Sequence, residues 1–201
     1  MRSRPLLVVA AAATTAALLG ALLGSRPALV IGSLVTLFVL TGHPDLRDVP
    51  GPTRLLLWTG LACLGGVILV TAWRWADAGD PWTVADLRAA WKTPLLMAVL
   101  ETLACGFLAV AVARSPRERL QEQGPGLIAV VGVLALAASA WMDARTAWHS
   151  RPRFDEETVF VVAGVRTTGP ALDVWGALSI GVLLAGAALT VLACARLAKP
   201  A

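Results

Sequence analysis

Apolar residues fill this chain in six long blocks, separated by short polar connections. The blocks cover about residues 6–24, 28–42, 55–72, 94–113, 126–142 and 172–195. Most are long enough, and poor enough in charge, to reach across a bilayer core of about 30 Å. Peptide groups in hydrocarbon find no water, so a chain that crosses it satisfies its N–H and C=O groups within helices. The pattern predicts an all-α integral membrane protein: one polytopic domain over residues 1–201, a bundle of about six transmembrane helices.

The connections refine this picture. Arg2 and Arg4 ahead of the first block resemble the start of a secretory signal peptide. No small-x-small cleavage site follows, and a second apolar block comes at once, so a retained helix is expected. A single helix over residues 6–42 would be roughly 55 Å long, far more than a bilayer core requires. Ser25-Arg26-Pro27 interrupts it instead, which predicts a tight helical hairpin with a short second arm. Pro44, Pro50, Gly51 and Pro52 make residues 43–54 a turn-rich loop. Two longer outer loops span about residues 73–93 and 143–171. In the first, Asp80-Pro81 is a helix-start signal, and Val84, Leu87 and Trp91 then share one face. In the second, Thr158 to Val165 is β-branched and apolar, which suits a short strand.

Composition agrees with the pattern. Hydrophobic residues make up 57% of the chain and the mean hydropathy is +0.73, too apolar for an ordinary soluble domain. A pI near 9.6 invites a nucleic-acid reading. The basic residues, however, flank the spans rather than forming one stripe, as expected of charges that meet lipid headgroups. The partner expected is the lipid bilayer, with other membrane subunits or a second copy beside it, and no nucleic acid. Arg114, Arg117 and Arg119 crowd one short loop, and Arg196 and Lys199 end the chain. This density places both termini in the cytoplasm, with the chain in a plasma (inner) membrane.

The chain also repeats itself. Trp75-Ala76-Asp77-Ala78 with Trp82 recurs as Trp141-Met142-Asp143-Ala144 with Trp148. At the same offset Gly60 matches Gly126, Gly66 matches Gly132, and Ala72 matches Ala138. A tandem helix-plus-loop duplication follows, running parallel rather than inverted. Tryptophan favours the headgroup level, so these residues read first as an aromatic belt, with each aspartate ending a helix. The functional alternative is an outer-face pocket formed by Trp75, Asp77, Trp82, Trp141, Asp143 and Trp148.

Glu101 is the acid within a span. An ionised carboxylate at that depth is costly, so Glu101 should be protonated, hydrogen-bonded or open to a wet cavity. Thr14, Thr15, Ser33, Thr36 and Ser139 are the candidate bonding partners, and proton binding is the candidate function. Cys105 is one turn further along the same face and Cys63 sits at similar depth on the preceding span. Two thiols and a carboxylate suit Cu(I), but too few ligands converge, so no metal and no cofactor is expected. His43 and His149 lie at opposite ends of the membrane. The spacing Gly20–Gly24 and Ala177–Gly181–Ala185 offers small faces for close helix contact. No hydrolase elbow, phosphate-binding glycine loop or H-E-x-x-H pair occurs. The expectation is a non-enzymatic accessory or assembly subunit. The alternative is a small-molecule or proton-coupled transporter, or a substrate-binding membrane subunit, that uses Glu101 and the tryptophan-rich outer pocket.

Overall fold

The computed structural model describes residues 9–10, 12–17, 19, 26–42, 46, 49–76, 91–114, 124–149 and 174–198. Residues 12–17 are helical (α1). Longer helices follow at Arg26–Thr41 (α2), Gly51–Ala76 (α3), Lys92–Ala113 (α4), Pro125–His149 (α5) and Val174–Ala198 (α6). Proline stands in the first turn of α2, α3, α4 and α5, as Pro27, Pro52, Pro94 and Pro125. First-turn amides have no intrahelical acceptor, so proline's missing N–H is not felt there and its fixed φ helps the helix begin. Among the described residues there is no strand. The strand expected over Thr158 to Val165, and the amphipathic segment from Asp80 up to Ala90, lie outside them.

Among the described residues four stretches are long and apolar enough to cross a membrane: Gly51–Trp73, Lys92–Ala113, Pro125–His149 and Leu178–Leu197. Pro27–Thr41 is apolar but shorter. The chain is a helical protein of the membrane type. Three helices overrun their expected ends. α3 continues past residue 72 to Ala76, α5 past Met142 to His149, and α6 past residue 195 to Ala198. Hydropathy falls at Asp143, but no glycine or proline follows until Pro152. Alanine and arginine in between are good helix formers, so the backbone continues after the apolar block has ended.

Four pairs of consecutive helices run antiparallel, as their contacts show. Thr14 meets Thr36 while Ala17 meets Gly32 across α1 and α2. Gly60 meets Leu108 while Thr71 meets Met97 across α3 and α4. Cys105 meets Val133 while Glu101 meets Ser139 across α4 and α5. Gly132 meets Thr190 while Ser139 meets Ser179 across α5 and α6. α6 also touches α2, α3 and α4, so it lies at the centre, and Leu183, Leu184, Ala187 and Val191 supply its buried face.

Small residues set the closest approach. A Cβ on Gly132 would stand 2.5 Å from Thr190 Oγ1 and 2.8 Å from the Thr190 nitrogen. One on Gly186 would stand 2.9 Å from the Gly132 carbonyl oxygen. Within the expected small-residue stripe of α6, Ala185 is exposed, and the close contact with α5 uses Gly186 and Thr190 instead. A glycine period identifies a face that can pack closely, whereas the neighbouring helix decides which face is used. Away from the core, Phe38, Leu69, Leu103 and Leu134 point outward, as side chains in contact with lipid do. Arg54 lies over the Trp58 ring and Arg145 over the Trp141 ring, at 5.9 and 5.5 Å from the ring centres. Arginine stacked on tryptophan suits the headgroup level, where a ring and a charge both find their medium.

Candidate functional site

The buried face of α4 runs through Met97, Ala98, Glu101, Ala104, Leu108 and Ala111, a three- and four-residue period. Glu101 belongs to this apolar stripe near the middle of the 22-residue helix, and it is 1% exposed. The facing stripe of α5 contains Gly132, Leu136, Ser139, Asp143 and Ala147. Ser139 Oγ donates to Glu101 Oε1 at 3.0 Å. Asp143, one turn further along the same stripe and also buried, is near enough for the two carboxyls to repel when both are ionised. Helix geometry explains the meeting. Side chains lean toward the start of their own helix, so on antiparallel neighbours Glu101 and Asp143 lean toward each other.

α6 completes the cluster. Ser139 Oγ lies 3.2 Å from the Ser179 carbonyl oxygen and 3.1 Å from Ser179 Oγ. A serine hydroxyl has one hydrogen, so Ser139 donates either to Glu101 on α4 or to the carbonyl on α6, never to both. Glu101 Oε2 is buried and has no hydrogen-bond partner among the described residues. Acceptor oxygens thus outnumber the donor hydrogens. Two ionised carboxyls repel at this range, whereas a protonated one can donate to the other, so the arrangement is suited to holding a positive charge. Removing the shared donor has a direct cost. Ser139→Ala is expected to lower unfolding stability in detergent by about 1 kcal/mol, a typical interhelical hydrogen bond, with Ser139→Thr retaining most of it. Equal unfolding midpoints for wild type and Ser139→Ala would mean that the hydroxyl does not tie α5 to Glu101.

The other sequence candidates take different positions. Trp141 and Trp148 are 61% and 64% exposed, on the outward side of α5, while Asp143 on the same helix turns inward. Trp75 lies in the last turn of α3, and Asp77 and Trp82 lie outside the described residues. The structure thus unites Asp143 with Glu101 rather than with Trp141 and Trp148. Asp143 does not end its helix, which runs on to His149. Of the hydroxyls considered for Glu101, Ser139 bonds it. Thr14 and Thr36 bond each other at 3.1 Å, and Ser33 Oγ is buried with no partner among the described residues. Asp143 was the partner missed. The available signal was its spacing, four residues beyond Ser139 on the stripe begun by Gly132 and Leu136. The Cys105 thiol donates to the Val133 carbonyl at 3.7 Å. Among the described residues no three His, Cys, Asp or Glu side chains gather as metal ligands. His149 is exposed at the end of α5, and His43 lies outside the described residues.

Comparison with protein families, curated proteins and solved structures found no match to this chain.

Proposed function

We propose that this chain is a small proton-coupled membrane transporter, or the substrate-binding membrane subunit of one, whose proton site is the Glu101–Asp143 pair. One observation carries the reading. A carboxyl near the middle of an apolar span receives a hydrogen bond from Ser139 and faces a second carboxyl from the next helix. Ionisable groups within a span are costly and are kept where charge or protons must move. A pair offers what a lone acid lacks, a second group to receive the proton.

The finer architecture in this proposal is six spans, with α1 and α2 as a hairpin and both termini in the cytoplasm of a plasma (inner) membrane. The hairpin is supported by the Thr14–Thr36 contact, and the topology by the dense basic residues of the short loops. The tandem duplication pairs α3 with α5. It is supported by equivalent glycines that face the following helix in both copies. A Cβ on Gly66 would meet Leu100 of α4 at 3.4 Å, and Gly132 meets Thr190 of α6.

The test is proton flux in proteoliposomes under an imposed pH gradient, followed with an internal pH dye. Wild type is expected to dissipate the gradient when its solute is supplied from a compound panel. Glu101→Gln and Asp143→Asn are each expected to slow this at least tenfold. Unchanged solute-linked flux in both variants would remove the proposal. A second reading, an accessory or assembly subunit, draws on the near-complete enclosure of Glu101. In that case the acids lock the register of α4 on α5, no solute elicits flux, and the protein is isolated with a partner subunit.

A further inference from the structure

We infer that the Glu101 cluster is also a sodium site, in which one sodium ion replaces one proton. The inference rests on the proposed proton site and names a second ion for it. Four side chains from three helices supply only oxygen: Glu101 from α4, Ser139 and Asp143 from α5, and Ser179 from α6. Oxygen-only shells select hard cations, and the absence of sulfur and imidazole from this set disfavours soft metals.

Hydrogen-bond counting supports a bound cation. Ser139 Oγ has three oxygens within 3.2 Å, at Glu101, the Ser179 carbonyl and the Ser179 hydroxyl, but carries one hydrogen of its own. Glu101 Oε2, on a side chain 1% exposed, has no hydrogen-bond partner among the described residues. A sodium ion between Glu101, Ser139 Oγ and Ser179 Oγ would use that oxygen. The Ser139 hydrogen would then turn from the carboxylate to the Ser179 carbonyl at 3.2 Å, which is already in place to accept it. The charge balances: one proton leaves Glu101 as one monovalent cation enters.

Size and charge narrow the choice of ion. A cation that takes oxygens at about 2.4 Å holds neighbouring ligands in a six-coordinate shell about 3.4 Å apart. Three oxygens stand 3.0 to 3.2 Å from Ser139 Oγ, slightly inside that spacing, so a small ion needs less movement there than the larger potassium. A divalent ion would bring a second charge that the release of one proton from Glu101 does not balance, and magnesium also keeps several waters.

The experiment is thermal unfolding of the purified full chain in detergent, in sodium, lithium, potassium or choline chloride at equal ionic strength. Sodium is expected to raise the midpoint over choline at pH 8.5 and to lose this effect at pH 5.5, where protons compete. The half-saturating sodium concentration should fall about tenfold per pH unit while one proton is exchanged. Potassium should stabilise less than sodium. Glu101→Gln should abolish the sodium effect and Ser179→Ala should weaken it at least fivefold, with both variants still unfolding cooperatively in choline. Equal wild-type midpoints in sodium and choline at both pH values would overturn the inference, as would a sodium effect that survives Glu101→Gln. Solute-linked proton flux that depends on Glu101 and ignores sodium would leave the transporter proposal standing alone. Sodium stabilisation without any such flux would have the opposite meaning, an ion site in a protein that does not transport.

Discussion

Leucine at Gly186 is expected to leave most of the chain aggregated after extraction in a mild detergent. A Cβ at this position would stand 2.9 Å from the Gly132 carbonyl oxygen, 2.9 Å from Leu136 Cγ and 3.0 Å from the Leu136 nitrogen. Two of these neighbours are backbone atoms, which cannot give way unless α5 and α6 separate. Overpacking by a few methylenes costs about 1–3 kcal/mol even where side chains can adjust. Here the cost extends further, because α6 also packs against α2, α3 and α4. Separation would also draw Ser179 away from Ser139 and so dismantle the polar cluster. The control is Gly65→Leu, where a Cβ meets nothing within 4 Å and the wild-type behaviour should persist. Size-exclusion chromatography of both variants checks the contrast. A monodisperse Gly186→Leu protein with a wild-type melting curve would mean that α5 and α6 do not approach this closely.

Replacing both acids at once, as Glu101→Leu with Asp143→Leu, is expected to yield a bundle at least as stable as wild type and wholly without proton-linked activity. Buried charged or polar pairs are held against a desolvation cost that apolar residues of similar volume do not incur. In measured systems such exchanges are neutral or stabilise by about 1–4 kcal/mol. Both side chains lie on apolar stripes among Met97, Ala104, Leu136 and Ala140, so leucine finds a compatible surface. The single variant Asp143→Leu should be less stable than the double, since it leaves the Glu101 carboxyl facing hydrocarbon. Melting in detergent at neutral pH, with flux measured beside it, reads both parts. A double variant that no longer folds would assign the acids a structural role and favour the accessory reading.

These two expectations depend on features of different legibility. The helical, membrane-type character of the chain follows from residue type and block length, and the long apolar helices α3, α4, α5 and α6 bear it out. The ends of the helices were less legible. The drop in hydropathy at Asp143 marks where apolar side chains stop, and α5 continues to His149 because nothing in Asp143-Ala144-Arg145-Thr146 breaks a helix. Glu101 was conspicuous as a carboxyl in an apolar block, but its neighbours were not. Ser139 was one of several hydroxyls at a plausible depth, and Asp143 read as part of an outer loop beside Trp141 and Trp148. Only the rotation of α5 separates Asp143, facing inward, from those exposed tryptophans.

The amino-acid sequence alone determined that this chain forms helices suited to a membrane. In hydrocarbon each peptide group must be satisfied within its own segment, and that requirement is local and readable residue by residue. The tertiary structure alone decided that Glu101, Ser139, Asp143 and Ser179 share one buried site, and that Gly132 and Gly186 form the tight contact beneath it. Which helices become neighbours, and which faces they turn to each other, depends on packing between distant parts of the chain. No local period encodes that choice.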